Sequence, residues 1–229
     1  MLLEASKLNS EAASPLLIKV DQEYLHSDIK IMIIGQETDG WYGKLNSANK
    51  SVEELMEGYF NYFYQKTDHG KNRGKRAFWN RKNFKYFEDE LKEYFGGKNK
   101  SVSFIWNNIS KIGNAGRGKP QKEIKRLERG YFNILKDEFE ILKPDIVIFT
   151  TGSSRDSYIR YHFGSDVIFK PKLSLDNNML KNETLNLLAE VTLPDFESIS
   201  SVRIEHPNRR TLSNLVTVSV IKEMLENKT

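Results

Sequence analysis

Four short stretches carry the side chains best suited to chemistry. Gly35-Gln36-Glu37-Thr38-Asp39-Gly40-Trp41-Tyr42 offers two carboxylates beside an amide and two aromatic rings. Asn107-Asn108 offers paired carboxamides, and Thr151-Gly152-Ser153-Ser154 a glycine-serine turn. His206-Pro207-Asn208-Arg209-Arg210 offers an imidazole followed by two guanidiniums. A carboxylate orients water and balances positive charge. A carboxamide donates and accepts at once, and an arginine holds phosphate through a fork of N–H donors. Each stretch also has a plainer reading. Glu37 and Asp39 can cap the following turn, Asn107 and Asn108 can be turn residues, and His206 before a proline can be structural.

A basic segment is the other local signal. Residues 71–87 hold Lys71, Arg73, Lys75, Arg76, Arg81, Lys82 and Lys85 with no acid, so removing them takes the net charge from +4 to −3. Their interleaving with Phe78 and Trp79 suits nucleic-acid contacts; the alternative is a solvated loop before an amphipathic helix. Gly113 to Lys119 matches the glycine and lysine spacing of a phosphate loop. Pro120, however, replaces the hydroxyl that would hold Mg²⁺, and residues 109–112 separate the loop from its strand. An NTPase is therefore the outside reading.

The chain of 229 residues has no cysteine, which excludes disulfide scaffolds, thiolate metal sites and cysteine nucleophiles. No two of its four histidines have metal-ligand spacing, and His26, His69 and His162 read as surface or core residues; the expectation is no metal and no cofactor. No apolar run reaches the ~18 residues needed to cross a bilayer, and residues 1–17 lack the pattern of a secretory signal. A cytoplasmic protein without a membrane partner is expected, and oligomeric state is left open.

The elements that must position the four stretches are legible as apolar runs. Residues 29–34, 102–106 and 145–150 are apolar at almost every position and end at polar or glycine punctuation, as strands covered on both faces do. Residues 201–205 form a weaker fourth strand. Between them, helical spacing predicts helices over 51–65, 84–95, 120–142 and 211–226, the first opened by a Ser51/Glu54 capping box. The expected fold is an α/β three-layer α/β/α sandwich with a mainly parallel, roughly four-stranded sheet, in one domain over 1–229 with an N-terminal extension over 1–25. Residues 166–194 break the alternation and fit either a β-hairpin excursion or an extra helix. In such a fold ligands sit beyond the carboxyl ends of the strands, where the four stretches lie.

The order strand-Gly-Gln-acid, strand-Asn, strand-Gly, strand-His-Pro resembles the uracil-DNA glycosylase superfamily, whose water-activating motif reads Gly-Gln-Asp-Pro-Tyr-His and whose late motif reads His-Pro-Ser before a leucine wedge. The resemblance in strand order runs over residues 29–226, with fewer than ten specific matches. It implies that Glu37 orients water, with Asp39 as second candidate, and that His206 stabilises the leaving base. It implies that Asn107 reads that base, that Gln36 and Tyr42 line its pocket, and that Ser153, Arg209, Arg210 and the basic segment hold phosphates. The implied activity is base excision by hydrolysis of an N-glycosidic bond. Thr38 stands in place of the motif's proline, Glu37 is one methylene longer than aspartate, and Asn208-Arg209-Arg210 replaces the apolar wedge that holds stacked bases apart. These departures move the expected partner toward single-stranded or modified DNA, ahead of RNA, or toward a binding module without catalysis.

Overall fold

A computed structural model describes residues 11–46, 50–65, 75–116, 118–172 and 181–227. The architecture is mixed α/β around a six-stranded sheet, not the expected four. The strands are β1 (Ile29–Gly35), β2 (Val102–Asn108), β3 (Ile146–Phe149), β4 (Ile168–Pro171), β5 (Leu188–Thr192) and β6 (Ser200–Ile204), ordered β2-β1-β3-β6-β5-β4. The pairs β1–β3 and β3–β6 are parallel, with Ile34 beside Phe149 and Phe149 beside Arg203. Every residue of β3 and β6 is buried, as are residues 31–35 of β1; β1 and β3 therefore read as apolar runs, whereas β6 buries Ser200, Ser201 and Arg203.

The two additional strands come from residues 166–194. That segment forms an antiparallel pair, β4 with β5, which extends the sheet from β6. A short helix, α7 (Lys181–Leu187), precedes β5 and packs on both strands of the pair. Hairpin and helix are therefore both present. β4 forms the sheet edge, with Pro171 as its last residue and a Lys172–Glu190 ion pair at 3.1 Å just beyond it.

The remaining helices are α1 (Gln22–His26), α2 (Val52–Phe60), α3 (Phe84–Gly96), α4 (Lys122–Tyr131), α5 (Leu135–Leu142), α6 (Asp156–Phe163) and α8 (Asn214–Glu226). The Ser51 hydroxyl accepts the Glu54 N–H at 3.1 Å and the Glu54 carboxylate accepts the Ser51 N–H at 2.7 Å, completing the α2 capping box. α2 then widens into a π-turn over Asn61–Gln65. The single helix expected over 120–142 is broken into α4 and α5. Phe132 leaves the helical region (φ −146°, ψ 43°) and joins Ala12, Ile112, Ile124 and Leu127 in an apolar cluster, with Ile134 packed against it. The C-terminal helix begins at Asn214 instead of Thr211, because the Glu205 carboxylate takes the Thr211 and Leu212 N–H groups at 2.8 and 3.1 Å.

The chain divides into two interleaved compact units. One comprises residues 1–21, 36–71 and 107–141; the other comprises 22–35, 72–106 and 142–229 and holds most of the sheet. Among the described residues, no helix is long and apolar enough to cross a membrane.

Candidate functional site

In the first unit, the segment that follows β1 is held by backbone hydrogen bonds. Ser110 N–H donates to the Gln36 carbonyl at 2.9 Å, and Gly40 N–H to the Asn114 carbonyl at 3.1 Å. Asp39 also bridges Asn114 in the parallel sense. Gln36 and Glu37 are half-buried, and Asp39 is exposed. Tyr42 adopts a left-handed backbone (φ +51°), and its ring lies so close over Gly58 that a Cβ there would come within 2.4 Å of it. Burial, then the nearby Glu57 charge, raises the Tyr42 phenol above its ordinary range. Trp41 packs edge-on against Tyr42 and Tyr62.

Asn107 belongs to a different arrangement from the expected one. β2 continues through Asn107 and Asn108 instead of turning there. The Asn107 side-chain oxygen accepts the Asn108 N–H at 2.8 Å and the Lys111 ammonium at 2.6 Å, while its nitrogen donates to Glu138 at 2.9 Å. The carboxamide edge expected to face a base faces Lys111 and Glu138. Lys111 is wholly buried and reaches both Glu138 oxygens, at 2.7 and 2.9 Å. Burial lowers the Lys111 ammonium against the pull of Glu138. Glu128, also buried, accepts the Lys111 N–H; burial pushes its carboxyl up to about 7, opposed by backbone N–H groups of Lys111 and Ile112.

In the second unit, the turns after β3 and β6 lie side by side. Gly152 N–H donates to the Ile204 carbonyl at 2.9 Å, and Gly152 takes a left-handed φ of +73° that favours glycine. A Cβ there would sit 3.5 Å from the His206 nitrogen, so the two turns touch through their backbones. Ser153–Arg155 then forms a single 3₁₀ turn that opens α6. His206 is half-buried, and its Nδ1 accepts the Asn208 N–H at 3.2 Å, which leaves the proton of a neutral ring on Nε2. Burial, then the Arg210, Arg209 and Arg155 guanidiniums, holds this imidazole below the ordinary histidine value. The site therefore presents a neutral N–H donor in positive surroundings.

Arg155 was not among the expected residues. It is buried, stacks over the Tyr158 ring at 4.8 Å and donates to the Tyr158 hydroxyl at 3.0 Å. Its only signal in the sequence is its place two residues beyond Ser153. Beside it, buried Arg203 of β6 grips Asp156 through two N–H···O bonds at 2.9 and 3.1 Å. The carboxylate at the start of α6 is thereby spent within the fold. Arg203 also donates to the Leu185 and Asn186 carbonyls, fastening the end of α7.

The two arginines after His206 have separate fates. Arg209 is exposed. Arg210 donates to the Lys82 carbonyl, the Asn83 and Asn214 side-chain oxygens and the Glu205 carbonyl, so its fork is occupied and is not presented to a phosphate. Burial pulls its guanidinium down to about 10. Through Arg210 the end of the basic segment is fastened to the His206 turn. In that segment Lys75, Arg76, Arg81 and Lys82 are exposed, whereas Lys71 and Arg73 lie outside the described residues. Lys85 pairs with Asp89 at 2.7 Å. Trp79 is buried against Phe84 and Trp106, so it belongs to the core and does not interleave with bases.

Residues 113–116 do not follow a strand directly, as a phosphate loop would; they run beside residues 36–40, and Lys119 is exposed. Among the described residues, no three carboxylate or imidazole groups cluster as metal ligands would. No protein-family model matches the chain, and no curated protein matches it.

Proposed function

We propose that the protein is a divergent uracil-DNA glycosylase-like protein, with helices on both faces of its sheet, that binds a nucleobase in single-stranded or modified DNA and hydrolyses its N-glycosidic bond in the cytoplasm. The observation that carries this reading is the His206 turn. A half-buried imidazole with its available N–H on Nε2 lies against the Gly152–Ser153 turn, and burial, then the guanidiniums around it, favours its neutral form. A neutral donor in positive surroundings suits a base carbonyl that gains negative charge as its bond to the sugar breaks. Glu37 would orient the attacking water, with Asp39 as alternative, and Gln36 and Tyr42 would border the base. Ser153, Arg209, Lys75, Arg76, Arg81 and Lys82 would meet phosphates, with Lys71 and Arg73 in the same basic segment.

A non-catalytic nucleic-acid or nucleotide-binding module is the second reading. The engagement of Asn107 with Lys111 and Glu138 favours it, because the base-reading amide of the resemblance is spent inside the fold.

Single-stranded oligonucleotides carrying uracil, hypoxanthine or xanthine, scored for abasic sites, test both readings. Base release should fall at least ~100-fold in Glu37→Gln and in His206→Ala, with oligonucleotide affinity retained. Arg81→Ala should weaken binding evenly across sequences and reduce the salt slope by about one. Binding without any base release would leave the module alone; salt-independent or absent binding would end both.

A further inference from the structure

The glycine at the head of the phosphate-loop-like stretch has a role that an NTPase reading misses. Gly113 is buried, and a Cβ built on it would lie 2.2 Å from the Thr38 carbonyl oxygen, 2.8 Å from its hydroxyl and 3.1 Å from its carbonyl carbon. The closest atom is backbone, so no rotamer change relieves the clash; residue 38 itself would have to move. Thr38 is buried and adjoins Glu37 in the chain. On either side of this contact the two segments are laced together by Ser110 N–H to the Gln36 carbonyl and by Gly40 N–H to the Asn114 carbonyl. Behind Gly113, Ala13 N–H donates to its carbonyl at 3.0 Å, and Glu128 accepts the neighbouring Lys111 N–H. The supporting segment is thus held from its far side and has little room to retreat.

We propose that Gly113 is a positioning residue: its missing side chain lets residues 36–40 seat against residues 110–114 and so sets where the Glu37 carboxylate stands. This rests on the excision reading for the role of Glu37, whereas the seating itself does not. A side chain at 113 would displace the Thr38 backbone by roughly an ångström, and a displacement of that size costs on the order of 100-fold when it misaligns reacting groups. Gly116 serves as the control, because a Cβ there meets only the Asn114 side-chain nitrogen at 3.8 Å, an ordinary contact.

The experiment compares wild type, Gly113→Ala, Gly116→Ala and Glu37→Gln. One readout is steady-state release of uracil from a single-stranded oligonucleotide. The other is amide hydrogen exchange at Gly40 and Ser110. Gly113→Ala should lose ~100-fold in kcat with KM nearly unchanged and should exchange the Gly40 amide faster. Gly116→Ala should match wild type in both. Wild-type release or unchanged Gly40 protection in Gly113→Ala overturns the proposal. Release by Glu37→Gln at the wild-type rate, or no release by any form, overturns the excision reading instead; amide exchange then decides the seating by itself. If Gly113→Ala does not fold, the pair Gly113→Ala with Thr38→Gly gives the segment freedom to shift. That pair should fold and stay slow, and wild-type turnover in it would equally overturn the proposal.

Discussion

Lys111 and Arg210 are both cations withdrawn from solvent, and their partners differ in kind. Lys111 meets the Glu138 carboxylate and an amide oxygen, while Glu128 holds its backbone. Arg210 meets carbonyl and amide oxygens, all of them neutral, and the Glu205 carboxylate beside it accepts from Thr211 and Leu212. The Lys111 charge is therefore met directly by a carboxylate. Around His206, Arg210 hydrogen-bonds only neutral oxygens and feels the Glu205 carboxylate across space, while Arg209 and Arg155 add further positive charge. A balanced buried network fixes a loop; an unbalanced one leaves a potential that attracts an anion. Of the four chemistry-bearing stretches, that of Asn107 lies in the Lys111–Glu138 network, and those of Gly152 and His206 lie together in the cationic surroundings.

Removing each cation in turn should separate the two networks most strongly. Lys111→Met strands Glu138 without its ammonium partner, while Glu128 keeps the backbone N–H of residue 111; this should cost about 3–5 kcal/mol of unfolding free energy, the usual penalty for an orphaned buried charge. Arg210→Met orphans neutral acceptors and takes a cation from near the hydrogen-bonded Glu205 carboxylate, so about 1–3 kcal/mol is expected. Urea unfolding of the two variants checks the order. Equal losses would mean that the partners' charge does not matter.

The next effect depends on pH. Burial raises the Glu128 carboxyl from its ordinary 4.5 to about 7, so the folded state binds the proton more tightly than the unfolded state. The contribution of this group to stability is then full below pH 4.5 and lost as pH rises through 7, a change of about 3 kcal/mol by linkage. Glu128→Gln should flatten that fall and exceed wild type in stability above pH 7, as read by denaturant midpoints across the window. A wild-type curve that rises between pH 5 and 7 while the variant's stays flat would contradict the raised Glu128 carboxyl.

A smaller change is expected at the His206 turn. His206 should titrate below ordinary histidine, chiefly because it is buried and then because of its arginines. Arg209→Ala removes one exposed cation and should move the imidazole upward, as followed by NMR. No movement would mean that Arg209 points its charge away from the ring.

Legibility in the sequence followed locality. Strands β1 and β3 announce themselves because burial on both faces demands apolar side chains at nearly every position, whereas β6 is fainter because it buries Ser200, Ser201 and Arg203. The break between α4 and α5 is silent, since Phe132 and Ile134 keep the apolar spacing that a continuous helix would show, and they change direction to fill the cluster around Ile112. The extra strands β4 and β5 show as one of two alternatives for residues 166–194, a hairpin or a helix, because the exposed edge β4 lacks a buried apolar run that would decide between them. At the site, residue types were legible and partners were not. Glu138 lies 31 residues from Asn107, and Lys82 lies 128 from Arg210. Nothing near either residue signals that its hydrogen-bonding capacity is already spent. Gly113 stood out by spacing, but its use depends on Thr38, which only the fold brings against it.

The β4 rim has a consequence of its own for handling the protein. An open strand is a template on which another chain can grow, and this one ends in a residue with no N–H to offer, next to a charged pair. Pro171 thus acts as a guard against edge-on stacking. Replacing it with a β-branched residue would trade a blunt border for an adhesive one and promote aggregation in concentrated solution.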